Sequence, residues 1–510
     1  MMETKHREIA ISEFFEKNRH LLGYENKSRA LLTIVKECVD NSLDATEEAR
    51  ILPDIYVKVK EVSPEKFEIV IKDNGPGIVK KQIPRVFGKL LYGDKFHRLR
   101  QSRGEHGIGV SGAVLYSQLT TGEATEITSS IGDGEIHHYK LKIDVKKNEP
   151  IVLDEKIENG NNCHGVEIRF FAEGVYREHK QSVIEYLKQT AVSNPHANIV
   201  FDSPAGMVEF KRGSNVMPRE PKEMKPHLHG VEIGVFTRML YETKSRTLAS
   251  FFMDEFTKIG RQTAKQICEK AGTDPKRKPK SISDEEIKRI VSSLPHVKLL
   301  NPPLDCLSPM GEELTSNGLK KEFDPEFVFA VTRPPAVYRG WPFQVETALA
   351  YGGSITQSKT VRFANRVPLL YQQGDCAITK SVSEMEWKRY GLENDIDKEP
   401  IIILVHLASV WVPFTSESKE AIASYPVIIK EIKLALQECS RRLSLHLSGK
   451  RKKMGMEKRK KLFERYSDEI ANALHELTGE KKEKINEALM KLVEKNSSIE
   501  SDQDGNPEET

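Results

Sequence analysis

Four acidic or amide side chains lie close together in ECVDNSLDA, residues 37–45, a segment otherwise rich in apolar residues. Glu37 and Asn41 are four residues apart and Asp44 follows three later, so on a helix these three project from one face. A carboxylate beside an amide oxygen suits a hard cation such as Mg²⁺. A carboxylate can also act as general base towards water. A solvated helix face is the alternative, and this segment alone does not decide between them.

The segment DNGPGI, residues 73–78, follows a predicted strand directly. Two glycines with a proline between them favour a tight turn and let a ligand approach the backbone closely. Asp73 at the strand end is placed to accept a hydrogen bond from an exocyclic amine. The same pattern is also a common turn, so it becomes informative only in combination with other motifs.

A glycine-rich segment, SRGEHGIGVSGAVLYSQ, occupies residues 102–118 and runs into an apolar helical pattern. Backbone N–H groups in such a loop, together with a helix N-terminus, can hold phosphate. No G-K-[ST] follows the glycines, so the segment is not a Walker A loop. It also lacks a preceding strand with an acidic residue at the right distance, which argues against a dinucleotide fingerprint.

The elements that must position these residues are predicted from periodicity. Apolar residues from Leu31 to Val39 recur with a helical period and predict a helix over 28–49. The alternating patterns DIYVKVKEV and KFEIVIKD, separated by SPEK, predict an antiparallel hairpin. Further strands are predicted at 135–145 and 165–171, and a helix at 180–192. The combination predicts an α+β sandwich with helices on one face of a mixed sheet.

The remaining chain predicts further domains, since 510 residues correspond to about three or four domains. A linker is predicted at 223–232, followed by helices at 247–272 and 281–294. Strand patterns return over 320–412 and end in PIIILVHLASVWV, an apolar run that predicts a buried strand. A long helical pattern begins at about 418, and the polar, acidic segment NSSIESDQDGNPEET at the end is predicted to be disordered.

Composition excludes several classes of protein. With 78 basic and 75 acidic residues the net charge is only +3, so nucleic-acid binding must come from local patches. The six cysteines are scattered without a C-x-x-C pair, which predicts buried free thiols rather than a zinc site or disulfide framework. No apolar run approaches the roughly 20 residues that span a bilayer, and MMETKHREIAISEFF lacks the apolar core of a signal peptide. We therefore expect a soluble intracellular protein.

The order of an E-x-x-x-N helix, a strand ending in D-x-G-x-G and a glycine-rich lid resembles the Bergerat-fold (GHKL) ATPases shared by gyrase B, heat-shock chaperones, MutL and histidine kinases. The resemblance implies that Glu37 polarises the hydrolytic water, Asn41 holds Mg²⁺, and ATP is bound. Asp73 would contact the adenine amine, and Gly77 would permit its close approach. The residues implied to wrap the phosphates are Gly104, Glu105, His106, Gly107, Ile108, Gly109, Val110 and Ser111.

Within this superfamily the sequence is most similar to the topoisomerase VI B-subunit family, over nearly the whole chain. The resemblance rests on residues 11–45 and on VFGKLLYGDKF, GVSGAVLYSQ, LKIDVKKNEPI, GGSI and VPFTSESKEAI. It implies that Lys419 reaches the γ-phosphate from a second domain. The sequence context agrees, because Lys419 follows a predicted buried strand and is expected to open a long helix. A surface lysine in a first helical turn is the alternative.

The family architecture implies four parts of the chain. Residues 1–223 would form an N-terminal strap and the ATPase domain, and 224–311 a helix-two-turns-helix domain. Residues 312–470 would form a transducer of the ribosomal S5 domain 2-like fold that ends in a long basic helix, and 471–510 a helical and disordered tail. Two copies would dimerise through the straps when ATP binds and close a gate on double-stranded DNA. No Toprim-like acidic cluster is recognisable, so cleavage would belong to a separate A subunit in an A2B2 assembly of the archaeal cytoplasm or nucleoid.

Two departures from the family pattern affect the site prediction. Where the family shows SSK, this chain has Gly93, Asp94 and Lys95, of which Asp94 and Lys95 are retained as nucleotide contacts. Where the family has a lysine after the lid, this chain has Ser111, so a charge near the phosphates is lost and Ser111 is a weaker candidate than its neighbours. The threonine of a family HGT motif is also absent from NNCHGVEIRF, and that contact stays unassigned.

Other functions compatible with these motifs are a MutL-like repair ATPase clamp and a chaperone-like clamp whose client is a protein. The predicted helical insert argues against the first. Stimulation of ATPase activity by DNA would distinguish the second from the two functions that act on DNA. Two basic patches, DPKRKPK at 274–280 and GKRKKMGMEKRKK at 449–461, suit DNA phosphates. A solvated face is equally compatible with each, and the second patch also suits contact with the A subunit.

Overall fold

The computed structural model describes residues 11–93, 98–104, 107–160, 163–229, 231–300, 302–393, 396–416 and 418–491. Within these ranges the chain divides into two compact units. The first contains residues up to 385 together with 396–439, and the second contains 386–393 with 440–491. All strands described below belong to the first unit.

A mixed sheet of eight strands forms the N-terminal part of the first unit. Its strands are β1 (Asp54–Ser63), β2 (Lys66–Asp73), β3 (Thr125–Ile131), β4 (Glu135–Asp144), β5 (Glu149–Asn159), β6 (His164–Glu173), β7 (Asn198–Ser203) and β8 (Gly206–Phe210). Their order across the sheet is β5-β4-β3-β6-β2-β1-β7-β8. Neighbours are antiparallel except β1 and β7, which are parallel. The predicted hairpin is confirmed, since β1 pairs antiparallel with β2.

Helices cover one side of this sheet. They are α1 (Ile11–Lys17), α2 (Lys27–Glu48), α3 (Ile83–Gly88), α4 (Gly109–Thr121) and α5 (Val183–Ser193). In β1 alternate residues are buried, which is the pattern of a strand with one face against a core. Helix α2 starts where the Asn26 side chain accepts the backbone N–H of Arg29, and its apolar stripe is buried as predicted. The result is an α/β sandwich with its core between α2, α4, α5 and the sheet.

A small helical region follows residues 211–232, which contain no regular element among those described. Its helices are α6 (Ile233–Glu242), α7 (Leu248–Glu255), α8 (Arg261–Ala271) and α9 (Asp284–Ser293). Four phenylalanines, at 236, 251, 252 and 256, pack against one another in its core. A capping box of Ser283 and Glu286 starts α9. The segment predicted as helical at 247–272 is divided into α7 and α8 by residues 256–260, the segment at 281–294 contains α9, and α6 is an additional helix.

A second sheet forms the rest of the first unit. Its elements are α10 (Glu312–Phe323), β9 (Phe327–Thr332), β10 (Ala336–Tyr338), β11 (Trp341–Tyr351), β12 (Lys359–Ala364), β13 (Val367–Pro368), α11 (Ala377–Ser383) and β14 (Ile401–Ser409). The order is β10-β11-β14-β12-β13, with β9 also paired to β11. Every residue of β14 is buried, which confirms the prediction from its continuous apolar run.

The long C-terminal helix α12 spans Pro426–Thr478. The prediction that helix begins at about residue 418 is therefore wrong. Residues 413–416 and 418–423 instead form a turn, because Thr415 N–H donates to the Ala421 carbonyl and Ala423 N–H donates to the Pro413 carbonyl. Pro426 can occupy a first helical turn because the missing N–H is not needed there.

The second unit contains α12 from residue 440 onward and residues 386–393. In it the Arg451 guanidinium donates to the Gly391 carbonyl at 2.6 Å. Most described side chains of the basic patch at 449–461 are exposed on α12. Among all described residues no helix is both long and apolar enough to cross a membrane.

Candidate active site

A cavity of about 340 Å³ lies between α2, the ends of β2 and β6, the glycine-rich loop before α4 and a loop that follows β14. All of these elements belong to the first unit. The cavity brings together every predicted site residue that the structure describes. These are Glu37, Asn41, Asp73, Gly77, Gly104, Gly107, Ile108, Gly109, Val110, Ser111 and Lys419. The predicted contacts Asp94, Lys95, Glu105 and His106 lie outside the described residues.

Glu37 and Asn41 face the cavity from successive turns of α2. The Glu37 carboxylate lies 3.4 Å from Lys36 Nζ, and its side chain is 28% exposed, so water can reach it. A Cβ at Gly109 would lie 2.1 Å from Glu37 Oε2, so the glycine at the start of α4 gives this carboxylate its space. The Asn41 amide makes no hydrogen bond with any described residue, which leaves its oxygen available to a ligand.

Asp73 is held by three donors at the end of β2. Its Oδ1 accepts the backbone N–H of Gly75 at 2.9 Å and that of Val166 at 3.2 Å. Its Oδ2 accepts the Ser42 hydroxyl at 2.7 Å. Burial raises the pKa of Asp73, although these donors oppose the shift. Each carboxylate oxygen has about two acceptor positions, so Oδ2 retains one for a ligand.

Gly77 and Gly165 are required by the backbone that surrounds Asp73. Gly77 has φ +72°, and a Cβ there would lie 2.0 Å from the Ser130 carbonyl oxygen in β3. Gly165 has φ +127°, and its Cβ would lie 2.1 Å from the Asp73 carbonyl oxygen. No L side chain fits either position without moving a strand. Val166, in the HGV sequence of residues 164–166, supports Asp73 through its backbone N–H.

The glycine-rich loop leads into the N-terminus of α4 at Gly109. The first N–H groups of a helix have no intrahelical partner and favour an anion. Ser111 Oγ lies 3.3 Å from the Gly107 carbonyl and 3.2 Å from that of Ile108, both of which can accept its proton. Its hydroxyl is thus engaged within the helix, which agrees with Ser111 being a weaker candidate for a phosphate contact than its neighbours.

Lys419 reaches the cavity from the loop between β14 and α12. The expectation that it opens a helix is wrong, because it lies in the tight turn before Pro426 and has φ +55°. Its Nζ donates to the Arg103 carbonyl at 3.0 Å, next to Gly104 of the glycine-rich loop. A cation from the second sheet therefore lies at the edge of the loop that can hold phosphate.

A buried ionic network lies one turn of α2 beyond Asn41. The Arg103 guanidinium donates to Asp44 at 2.7 Å and to both oxygens of Glu47. Glu47 also accepts from Arg366, which follows β12 in the second sheet, at 2.8 Å. His196 Nε2 lies 2.9 Å from Glu47. Asp44 thus has a partner outside the cavity and does not lie on a solvated face, because it is only 7% exposed.

Replacing Glu47 by glutamine is expected to destabilise the protein by about 3–5 kcal/mol, because the buried Arg366 loses its counter-charge and the buried Arg103 keeps only Asp44. Burial raises the pKa of Glu47, but Arg103 and Arg366 outweigh it and hold the value well below 4.5. The contribution is therefore complete above pH 4.5 and is lost as the pH falls through the lowered pKa. Urea unfolding at neutral and acidic pH measures both effects. Glu48→Gln, which weakens ion pairs of the exposed Glu48 with Arg98 and Arg100, should change stability by less than about 1 kcal/mol, and equal effects would contradict the prediction.

Several residues around the cavity were not predicted from sequence. Asp40 is buried and accepts the Tyr186 hydroxyl at 2.8 Å, and burial raises its pKa to about 6. Lys36 lies beside Glu37, and Ser42 supports Asp73. Lys36 and Ser42 are sequence neighbours of the predicted site residues Glu37 and Asn41, and this proximity could have identified them. Tyr186 is distant in sequence, so nothing local points to it.

The cavity contains the groups needed to bind and hydrolyse a purine nucleotide. An acceptor at the end of β2 suits an exocyclic amine, and a helix N-terminus with a lysine suits phosphates. A partly exposed carboxylate at Glu37 suits proton abstraction from water. Among the described residues no group of three or more His, Cys, Asp or Glu side chains is placed to hold a metal ion.

Two family models match separate parts of the chain. Residues 26–146 match the family described as histidine kinase-, DNA gyrase B- and HSP90-like ATPase, and residues 302–460 match topoisomerase VI B subunit, transducer. The chain is 49% identical over 457 residues to the B subunit of type 2 DNA topoisomerase 6 from Archaeoglobus fulgidus, covering 88% of this chain and 76% of that protein. It is 41% identical over 535 residues to the protein of the same name from Pyrococcus furiosus, covering 95% and 94%. Among solved structures, the ATPase region of Saccharomyces cerevisiae topoisomerase II is 13% identical with a TM-score of 0.40, covering 88% of this chain and 100% of that one.

Proposed function

Since the chain belongs to the family of type 2 DNA topoisomerase 6 B subunits, we propose that it is the ATP-binding and ATP-hydrolysing subunit of a type IIB topoisomerase. The observation that carries this proposal is the cavity in which Glu37, Asn41 and Asp73 meet Lys419. Glu37, Asn41 and Asp73 come from the first sheet and its helices, and Lys419 comes from the loop that follows β14 of the second sheet. Hydrolysis in such a cavity can change how the two sheets are held together.

The residues of the cavity have distinct proposed roles. Asp73 Oδ2 accepts a hydrogen bond from the adenine amine, and Gly77 lets the base approach the backbone. Glu37 takes a proton from the attacking water, an effect worth about 10²- to 10⁴-fold. Lys419 leaves the Arg103 carbonyl and pairs with the γ-phosphate. The glycine-rich loop, from Gly104 to Ser111, supplies N–H donors to the other phosphate oxygens.

A magnesium ion is proposed to accompany ATP. Asn41 would hold it through the amide oxygen, which fits because this amide has no hydrogen-bond partner among the described residues. A single protein ligand also agrees with the preference of Mg²⁺ for waters and phosphate oxygens. When bound, Mg²⁺ neutralises charge on the phosphates.

The proposed assembly contains two B and two A subunits. ATP binding would dimerise two B subunits through their N-terminal straps, which fall largely outside the described residues, and close a gate on a DNA duplex. The A subunit would make the double-strand break through which the duplex passes. The exposed lysines of the loop between α8 and α9, and the basic patch of α12, suit contact with DNA or with the A subunit. The boundaries 1–223, 224–311, 312–470 and 471–510 stay proposals.

A reconstitution experiment tests this function. The isolated chain should hydrolyse ATP but neither cleave nor relax DNA, because the proposed cleavage site belongs to another subunit. Co-purified with an A-type subunit, it should relax supercoiled DNA and decatenate linked circles only with ATP. Relaxation by the isolated chain would contradict the proposal. ATPase activity that is stimulated by an unfolded protein and unaffected by DNA would favour a chaperone-like clamp instead.

A further inference from the structure

The loop that presents Lys419 is fastened to α2 by the next residue in the sequence. Glu420 forms an ion pair with Arg29 near the start of α2, and each side chain is only 8% exposed. The pair joins the loop after β14 to the helix that carries Glu37, eight residues after Arg29. The cation and the carboxylate with proposed roles in hydrolysis are thus connected through one buried contact.

Arg29 contacts residues from both parts of the chain that the ion pair joins. Its guanidinium lies over the ring of Tyr371, 4.8 Å from the centroid, and Tyr371 follows β13 in the second sheet. Arg29 also pairs with Glu25, which precedes α2. A guanidinium that stacks and pairs at the same time has one allowed orientation, so it fixes the carboxylate that it binds.

The ion pair is poorly suited to a purely stabilising role. Burial raises the pKa of Glu420, and Arg29 opposes that shift. Glu420 Oε2 and Arg29 Nε are both buried and have no hydrogen-bond partner among the described residues. Desolvation of such groups offsets much of the attraction, so the pair as a whole adds little net stability, although removing one partner alone is destabilising because it leaves a buried charge. The pair also has a geometric effect, because Glu420 directly follows Lys419 in the chain and its anchored side chain restricts where the Lys419 backbone, at φ +55°, can lie.

We propose that Arg29 and Glu420 are positioning residues for ATP hydrolysis, which hold the loop so that Lys419 can reach the γ-phosphate. This inference rests on the proposed role of Lys419. Neither side chain is assigned contact with the nucleotide. Their effect on the rate passes entirely through Lys419.

The test compares Glu420→Gln and Arg29→Gln in the full chain by steady-state ATPase kinetics. Each variant should lower kcat about tenfold while KM for ATP changes by less than about twofold, since the adenine contact is untouched. Lys419→Ala should lower kcat by about 10²-fold. In the Lys419→Ala background, Glu420→Gln should add less than about a further twofold reduction.

A matched control uses another ion pair between the same two parts of the chain. Lys359 of β12 pairs with Glu185 of α5, far from Lys419 in the sequence. Lys359→Gln should leave kcat unchanged within about twofold. Thermal unfolding of all variants shows whether a lost rate reflects loss of folded protein.

The outcomes separate the inference from the function beneath it. Wild-type turnover by Lys419→Ala would overturn the proposed role of Lys419 itself. If Lys419→Ala is impaired but Glu420→Gln and Arg29→Gln turn over ATP at the wild-type rate, only the positioning role is overturned. An equal reduction by Glu420→Gln with and without Lys419 would also overturn it, since a structural defect acts in both backgrounds.

Discussion

Glu37→Ala is expected to lower kcat for ATP hydrolysis by about 10²- to 10⁴-fold while ATP-driven dimerisation is retained. The carboxylate lies in the cavity, beside the proposed position of the attacking water. It is close to Lys36, and the missing side chain of Gly109 leaves room for it. Removing it deletes the proton acceptor and leaves the Asp73 site intact. Steady-state ATPase assays measure the rate, and cross-linking with ATP measures dimerisation.

A second variant moves the Glu37 carboxylate without removing it. In Gly109→Ala the new Cβ would lie 2.1 Å from Glu37 Oε2, so the end of this flexible side chain must shift. We expect kcat to fall with little loss of stability, since no backbone atom is displaced. Glu48→Ala, an exposed glutamate on the same helix, should retain full activity. Turnover by Glu37→Ala at the wild-type rate would show that the general base is another group.

The predictions that succeeded from sequence depend on short-range patterns. The stripe from Leu31 to Val39 needs one buried side of a helix, and the alternation in β1 and β2 needs one buried face of a sheet. The run at 401–409 predicts a buried strand because it has no polar face. In each case local periodicity and tertiary burial agree, so the sequence contains the information.

The Lys419 loop shows where local patterns mislead. The residues after Phe414 are compatible with a helix, but Thr415 and Ala423 pair across the turn with Ala421 and Pro413. The ion pair of Glu420 with Arg29 further depends on packing between parts of the chain that are 391 residues apart. Tertiary contacts therefore overrule helix propensity here.

The candidate site was predicted in its chemical groups but not in its supports. Glu37, Asn41, Asp73 and Lys419 carry recognisable motifs, because the proposed chemistry restricts their types and spacing. Arg103, next to Gly104 of the glycine-rich loop, pairs with Glu47, and Glu47 also pairs with Arg366. These three residues meet only in the folded chain. No periodicity specifies such pairs, so single-sequence reasoning has no means to find them.

Asp73→Asn is expected to weaken ATP binding by about 100-fold, because a charged acceptor for the adenine amine is replaced by a donor. The fold should be retained. The amide oxygen can still accept from Gly75 and Val166, and the Ser42 hydroxyl can reverse its hydrogen bond. Isothermal titration with a non-hydrolysable ATP analogue measures the affinity.

Inosine triphosphate supplies the matched comparison, since its base lacks the exocyclic amine. The wild-type protein should prefer ATP, and Asp73→Asn should lose this preference while binding inosine triphosphate about as well as the wild type does. An equal loss of affinity for both nucleotides would show that Asp73 acts only through the backbone of Gly75 and Val166.

The same acceptor predicts a pH dependence of ATP binding. Burial raises the pKa of Asp73 above its ordinary value of 3.8, so protonation begins at a higher pH than for an exposed aspartate. A proton on Oδ2 converts the acceptor into a donor, and ATP affinity should therefore fall as the pH is lowered towards the raised pKa. Asp73→Asn cannot take up this proton, so its weak binding should lack this step. A parallel decline of both proteins would assign the titration to a group other than Asp73.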